Sequence, residues 1–314
     1  MISLPRRALV LPVLAALALS ACAPPEPAGT NGDTASLTVL TSFYPLHYIA
    51  EQVGGEEAEV SSVTPPGADP HNLELSPAKV AELADASVVV YASGFQAAVD
   101  EAVEQTSPKQ TIDVADAADL SPAAGRGGNS AAKDGTGGSR DAGGADPHFW
   151  LDPQRLAAVA GVAARRFSEI DPQNADVYKA NAQELGQELA SLDVQFTTGL
   201  ADCERRTIVV AHEAYGYLAD RYDLEQIGIS GIDPESEPAP ARIAKIRRVI
   251  EGQDVTTVFT ESLVNPKVAE VLAADLGIET ALLDPLESLA DPGEDYLSIM
   301  RENLAALRGA LNCG

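Results

Sequence analysis

From residue 37 onward, short runs of β-branched and aliphatic residues alternate with stretches whose apolar positions recur every three or four residues. The runs at 37–40, 59–63, 87–91 and 111–114 predict strands. Ser87-Val88-Val89-Val90-Tyr91 has no polar alternation at its centre, the pattern of a strand covered on both faces of a parallel sheet. Helical periodicity predicts elements near 45–54, 76–86 and 96–104, the second with Ser76 as N-cap and Pro77 in its first turn. Another helix is predicted over 153–170. A long one follows over 172–200, where Leu185, Leu189, Leu192 and Phe196 recur at helical spacing and Asp171-Pro172 suits a helix start. The second half repeats the alternation. Strands are expected at 207–211, 225–229, 256–260 and 279–283, and helices near 214–222, 239–251, 265–276 and 293–310.

Two βα arrays separated by a long helix predict an α/β fold of two parallel-sheet lobes with flanking helices. The N-terminal lobe is expected over 36–171, the linking helix over 172–200 and the C-terminal lobe over 201–314. Residues 121–145 break the pattern. They are dominated by Gly, Ala, Ser, Asp and Lys and hold no large apolar residue, so a mobile surface loop is expected there. Ligands in such folds bind beyond the carboxyl ends of the strands, which puts a site in the cleft between the lobes.

The chain has 314 residues, 45% hydrophobic and 22% charged, enough for one large domain or two modest ones. Residues 1–22 stand apart from it. Arg6 and Arg7 precede an apolar stretch from Leu9 to Leu19, too short to span a bilayer and suited to a secretory signal peptide. The stretch ends in Leu19-Ser20-Ala21-Cys22, which resembles the lipobox of bacterial lipoproteins, where the cysteine is lipidated and becomes the new N-terminus. Residues 23–35, rich in Pro, Gly and Ala, read as a flexible tether. An exported protein is expected, lipid-anchored on the outer face of the cell membrane or on its periplasmic side.

Charge and cysteines narrow the picture further. A net charge of −26 excludes a nucleic-acid partner, which needs a basic face, and attracts cations without selecting one. With Cys22 set aside, Cys203 and Cys313 remain, and an oxidising compartment favours their pairing. Such a bridge would close a loop of about 110 residues, worth about 4–5 kcal/mol less any strain. Neither cysteine belongs to a C-x-x-C, so a cysteine zinc site or a thioredoxin-type centre is unsupported.

Of four histidines, three fall near strand ends. His71 follows the second strand in Asp69-Pro70-His71, and His148 closes the glycine-rich stretch in Asp146-Pro147-His148-Phe149-Trp150. His212 follows the strand at 207–211. In the two Asp-Pro-His triplets, proline fixes the backbone just ahead of the imidazole, which preorganises a ligand. Asp284, beyond the last strand in Leu283-Asp284-Pro285, is the fourth candidate. Three imidazoles and a carboxylate suit four-coordinate Zn²⁺, although imidazole also suits Cu, Fe and Ni, and an aspartate before proline is a common turn former. His47, among Tyr44, Leu46, Tyr48 and Ile49, reads as packing or surface.

These residues resemble the zinc- and manganese-specific solute-binding lipoproteins of bacterial ABC transporters. The matching segments are Thr41-Ser42-Phe43-Tyr44-Pro45, Pro66-Gly67-Ala68-Asp69-Pro70-His71, Asp146-Pro147-His148-Phe149-Trp150-Leu151-Asp152-Pro153, Ala211-His212-Glu213-Ala214-Tyr215, Phe259-Thr260-Glu261-Ser262 and the stretch around Asp284. They occur in family order across nearly the whole mature chain. The resemblance implies metal held between the lobes by His71 and His148 from the first and His212 and Asp284 from the second, with Glu261 as a support or cap. It also implies a membrane permease as partner, and a monomer is expected. Manganese relatives tend to carry glutamate where His212 stands, which favours zinc and leaves manganese, or mixed use, as the alternative. Many zinc relatives have a histidine-rich loop before the second ligand. Here 121–145 contains no histidine, and Asp134, Asp141 and Asp146 would bind metal only weakly.

A zinc hydrolase is the main rival, since His212-Glu213-Ala214-Tyr215-Gly216 begins like H-E-x-x-H. Gly216 occupies the second histidine's place, and four protein ligands leave no open coordination position. A surface adhesin rests on the anchor alone. A binder of sugars or peptides would want more than one Trp and 5% aromatics.

Overall fold

A computed structural model describes residues 36–120, 146–289, 291 and 293–314. The expected leader, the lipidation site Cys22, the tether and the loop 121–145 lie outside the described residues.

The first half gives strands β1 (Leu37–Thr41), β2 (Ala58–Ser62), β3 (Val88–Tyr91) and β4 (Thr111–Asp113). Between them run helices α1 (Tyr44–Gly54), α2 (Pro77–Asp85) and α3 (Ala97–Thr106). Helices α4 (Pro153–Ile170) and α5 (Ala175–Gly199) follow, the latter entered through a 3-10 turn at Pro172–Asn174. The second half gives β5 (Thr207–Val210), α6 (Gly216–Arg221), β6 (Glu225–Gly228) and α7 (Pro240–Gly252). It closes with β7 (Thr257–Thr260), α8 (Lys267–Leu276), β8 (Glu279–Leu282) and α9 (Tyr296–Leu311).

Every pairing among these eight strands is parallel, in the orders β2-β1-β3-β4 and β6-β5-β7-β8. The two sheets thus share one topology. Helix starts follow their local chemistry. Ser76 accepts the Lys79 N–H ahead of Pro77, and Asp152 accepts the Gln154 N–H ahead of Pro153. Asp295 opens α9 with a capping box to Ser298.

Strand alternation divides the apolar side chains among three clusters. The outer faces, with Leu40 and Val89 in one sheet and Val209 and Val258 in the other, pack separate clusters under α2–α3 and α7–α8. The inner faces, with Val39, Val88, Val90, Ile208, Val210 and Phe259, join one core with α1, α4, α5, α6 and α9. Leu185, Leu189, Leu192 and Phe196 of α5 are all buried in it. Residues Ser36–Gly314 consequently form one compact unit. A disulfide joins Cys203 to Cys313 and pins the segment after α5 to the end of α9. Among the described residues no helix is long and apolar enough to cross a membrane.

Candidate metal centre

Four segments beyond strand ends converge between the sheets. His71 lies on the loop after β2, His148 ahead of a 3-10 turn at Phe149–Leu151, and His212 just past β5. The fourth side chain is Glu287, on the loop after β8. One carboxylate oxygen, Oε1, lies 3.0 Å from Nε2 of His71, 2.9 Å from that of His148 and 3.0 Å from that of His212. The His148 Nε2 is 3.3 Å from that of His71 and 3.4 Å from that of His212. Among the described residues these four form the one group of donors with metal-site spacing. His148 and His212 are fully buried, Glu287 nearly so, and the His71 side chain is 8% exposed.

Asp284 is not part of this group, contrary to the expectation from the sequence. Its Oδ1 accepts the N–H of Leu286 at 2.7 Å and its Oδ2 accepts the Ser262 hydroxyl at 2.7 Å. Asn303 clamps its backbone N–H and C=O. The reason is a turn that recurs along this chain. In Asp69-Pro70-His71, Asp146-Pro147-His148, Asp152-Pro153-Gln154, Asp233-Pro234-Glu235 and Asp284-Pro285-Leu286, the aspartate accepts the N–H two residues on. Asp-Pro-X is a turn module whose carboxylate closes the turn. In the last copy the turn is followed by Leu286 in a left-handed backbone conformation, φ 58°, which aims the next residue, Glu287, back into the cleft. A second carboxylate three residues on in the same loop was the available signal, and distance from a strand end could not rank the two.

The remaining sequence candidates fall outside the four donors. Glu261 faces the outer nitrogen of His212, with Oε2 at 2.8 Å and Oε1 at 2.9 Å from Nδ1. Asp146 does the same for His148, Oδ1 to Nδ1 at 2.7 Å. That role for Asp146 was not foreseen; the sequence pointed only to weak metal collection there, and Asp134 and Asp141 lie outside the described residues. Glu213, the general base a hydrolase would need, is paired with Arg242 at 2.6 Å. His47 lies on α1 against Glu51, away from the cluster.

The surroundings are buried and aromatic. The Trp150 ring lies 5.2 Å from that of His148, and the Phe95 ring meets that of His71 edge-on at 4.9 Å. The indole N–H of Trp150 donates to the Pro285 carbonyl at 2.7 Å, and the Tyr217 hydroxyl to the Asp146 carbonyl at 2.8 Å, so the ligand loops are bonded across the cleft. Burial alone would lower the pKa values of His148 and His212. Hydrogen bonds to Glu261 and Glu287 outweigh it and push His212 up to about 10, and Asp146 and Glu287 likewise raise His148. Burial would raise Glu287, but bonds to the three imidazoles hold it well below the usual carboxylate range. Protons therefore neutralise this buried anionic cluster, and a divalent cation can replace them.

The donor spacing tests which cation fits. A tetrahedral ion with bonds of about 2.0–2.1 Å holds its ligands about 3.3 Å apart. Five of the six donor separations are 2.9–3.4 Å, close to that spacing, and all four donor atoms lie within 4.8 Å of one another. With three neutral imidazoles, the ion's two positive charges oppose three carboxylates at Glu287, Asp146 and Glu261.

A family profile described as zinc-uptake complex component A, periplasmic, matches residues 39–310. The chain belongs to this family. The zinc-binding protein AdcA of Streptococcus pyogenes is 31% identical over 285 residues, covering 86% of this chain and 55% of AdcA. The high-affinity zinc uptake system protein ZnuA of Bacillus subtilis is 29% identical over 291 residues and 90% of each chain. The chain thus spans about half the length of the AdcA relatives it matches. Among solved structures, the Zn(II)-bound ZnuA-like domain of Streptococcus pneumoniae AdcA superposes with a TM-score of 0.71 at 29% identity, over 88% of this chain and 99% of that domain. Lmb of Streptococcus agalactiae, described as a bifunctional protein with adhesin and metal transporting activity, gives 0.75 at 31% identity, with 88% and 99% covered.

Proposed function

We propose that the chain captures a zinc ion outside the cytoplasm and delivers it to an ABC-transporter permease, as a lipid-anchored monomer tethered through Cys22. The observation that carries this reading is the set of three imidazoles and Glu287, their donor atoms buried within 4.8 Å of one another between the two sheets. His71, His148, His212 and Glu287 hold the ion, while Asp146 and Glu261 hold the outer nitrogens of His148 and His212. Carboxylates so placed fix the tautomer and raise ligand basicity. Family membership and the zinc-binding names of AdcA and ZnuA support zinc as the cargo and transport as the purpose.

Catalysis does not suit this site. Four protein donors fill a tetrahedral shell, and the position beside His212 that a hydrolase would use as base is bound to Arg242. Manganese, the alternative cargo, prefers oxygen-rich six-coordination and is poorly served by three imidazoles.

The test is metal content and competitive titration of the soluble chain beginning at residue 23, made without a histidine tag. One tightly held equivalent of zinc is expected, lost on His148→Ala or His212→Ala while the fold survives. Preferential manganese binding would overturn the cargo, and absence of stoichiometric metal would overturn the site.

A further inference from the structure

The three imidazoles are not held alike. His148 and His212 have carboxylates on their outer nitrogens at 2.7–2.9 Å. Among the described residues no carboxylate holds the outer nitrogen of His71, which is also the one imidazole with some exposure. Its loop must therefore be fixed by other means, and two contacts supply them. The Gly67 N–H donates to the hydroxyl of Ser288 at 2.7 Å, and the Asn72 amide donates to Glu235 at 3.2 Å.

Both contacts follow from turn chemistry. Pro65-Pro66-Gly67-Ala68 is closed by the Ala68 N–H on the Pro65 carbonyl, with Gly67 at φ 74°. Proline second and a left-handed glycine third is the type II pattern, whose flipped central peptide turns the glycine N–H outward. A Cβ at Gly67 would meet nothing within 4 Å, so the glycine serves the backbone conformation. Ser288 is buried at 4% exposure and directly follows Glu287. Glu235 is presented by its own Asp-Pro-Glu turn, with Asp233 accepting its N–H.

We propose that Ser288 is a positioning residue that clasps the loop of His71 onto the loop of Glu287 and thereby slows zinc release, with Asn72 in a lesser role tethering the His71 loop to Glu235 after β6. Neither side chain contacts the ion. The clasp ties the least supported imidazole to the one carboxylate ligand through their neighbours, so opening it frees His71 first. Because the sheets share one core, the loops rather than whole lobes supply the opening movement. This inference rests on the zinc reading given above.

The test is stopped-flow release of zinc into a chromogenic chelator. Loss of one neutral hydrogen bond predicts that Ser288→Ala releases zinc on the order of fivefold faster. Ser288→Thr, which keeps the hydroxyl, restores the parent rate, a rescue that loss of side-chain packing alone would not give. Asn72→Ala, on the exposed contact, gives a smaller gain in rate. A zinc-loaded parent and a Ser288→Ala variant releasing at equal rates would overturn the clasp alone. A parent that retains no zinc would overturn the reading of the site itself.

Discussion

The two sheets share a strand order, yet each contributes its clustered donors from different places. Both edge strands at one side, β4 and β8, precede one of the four clustered donors, His148 and Glu287. The other pair does not correspond: the first lobe uses the loop after β2 for His71, and the second uses the end of β5 for His212. The loop after β6, which is the counterpart of the His71 loop, carries no ligand and instead presents Glu235 to Asn72. A repeated architecture therefore supplies strand ends at fixed places, while short turn modules decide which residue enters the cleft.

The largest effect should come from breaking the loop after β8. Glu287→Ala is expected to weaken zinc binding by more than about 100-fold, since it removes a charged ligand and leaves three imidazoles. Asp284→Ala should cost less, because it acts only through the turn that aims Glu287. Competitive titration of the two variants checks this, and the reverse ranking would return the ligand to Asp284.

That pair of residues also marks the limit of what the chain order reveals. Parallel runs such as Val88-Val89-Val90 and the helical spacing of Leu185, Leu189, Leu192 and Phe196 depend on local patterning, and the elements appear within a few residues of where the pattern puts them. His71, His148 and His212 were legible because histidine is scarce and each follows a strand or turn signal. Glu287 was not, since carboxylates are abundant here and only the left-handed Leu286 turns one of them inward. The support from Asp146 was hidden for a similar reason: its backbone role in Asp-Pro-His is readable, but its second bond to the imidazole needs the folded ring orientation.

A smaller effect should separate the supported imidazoles from the unsupported one. Asp146→Asn and Glu261→Gln are each expected to lower zinc affinity about 10–100-fold with the four donors intact. Equal affinity in parent and variants would show that outer-nitrogen carboxylates matter no more at His148 and His212 than at His71.

The smallest and most graded effect concerns pH in the metal-free protein. His212 is raised from 6.5 to about 10, so the stability it contributes is full below about pH 6.5 and is lost as pH rises towards 10. Glu287 is depressed below its ordinary 4.5, so its contribution is present above about 4.5 and is lost in acid. The metal-free thermal midpoint should accordingly peak between about pH 4.5 and 6.5. Loading zinc should remove the decline on the alkaline side. A flat profile for the metal-free protein would show that the imidazoles do not carry those protons.

The common core has a consequence for how the chain acquires its structure. Because inner faces of both sheets and one side of α5 bury against the same side chains, neither sheet has a complete apolar lining until the other has formed. The shared lining couples residues 37–113 to residues 207–311, and the Cys203–Cys313 bond ties the end of the final helix to the segment after α5. The four clustered donors, scattered over more than two hundred positions, are thus brought together by one shared core that both halves of the chain must complete.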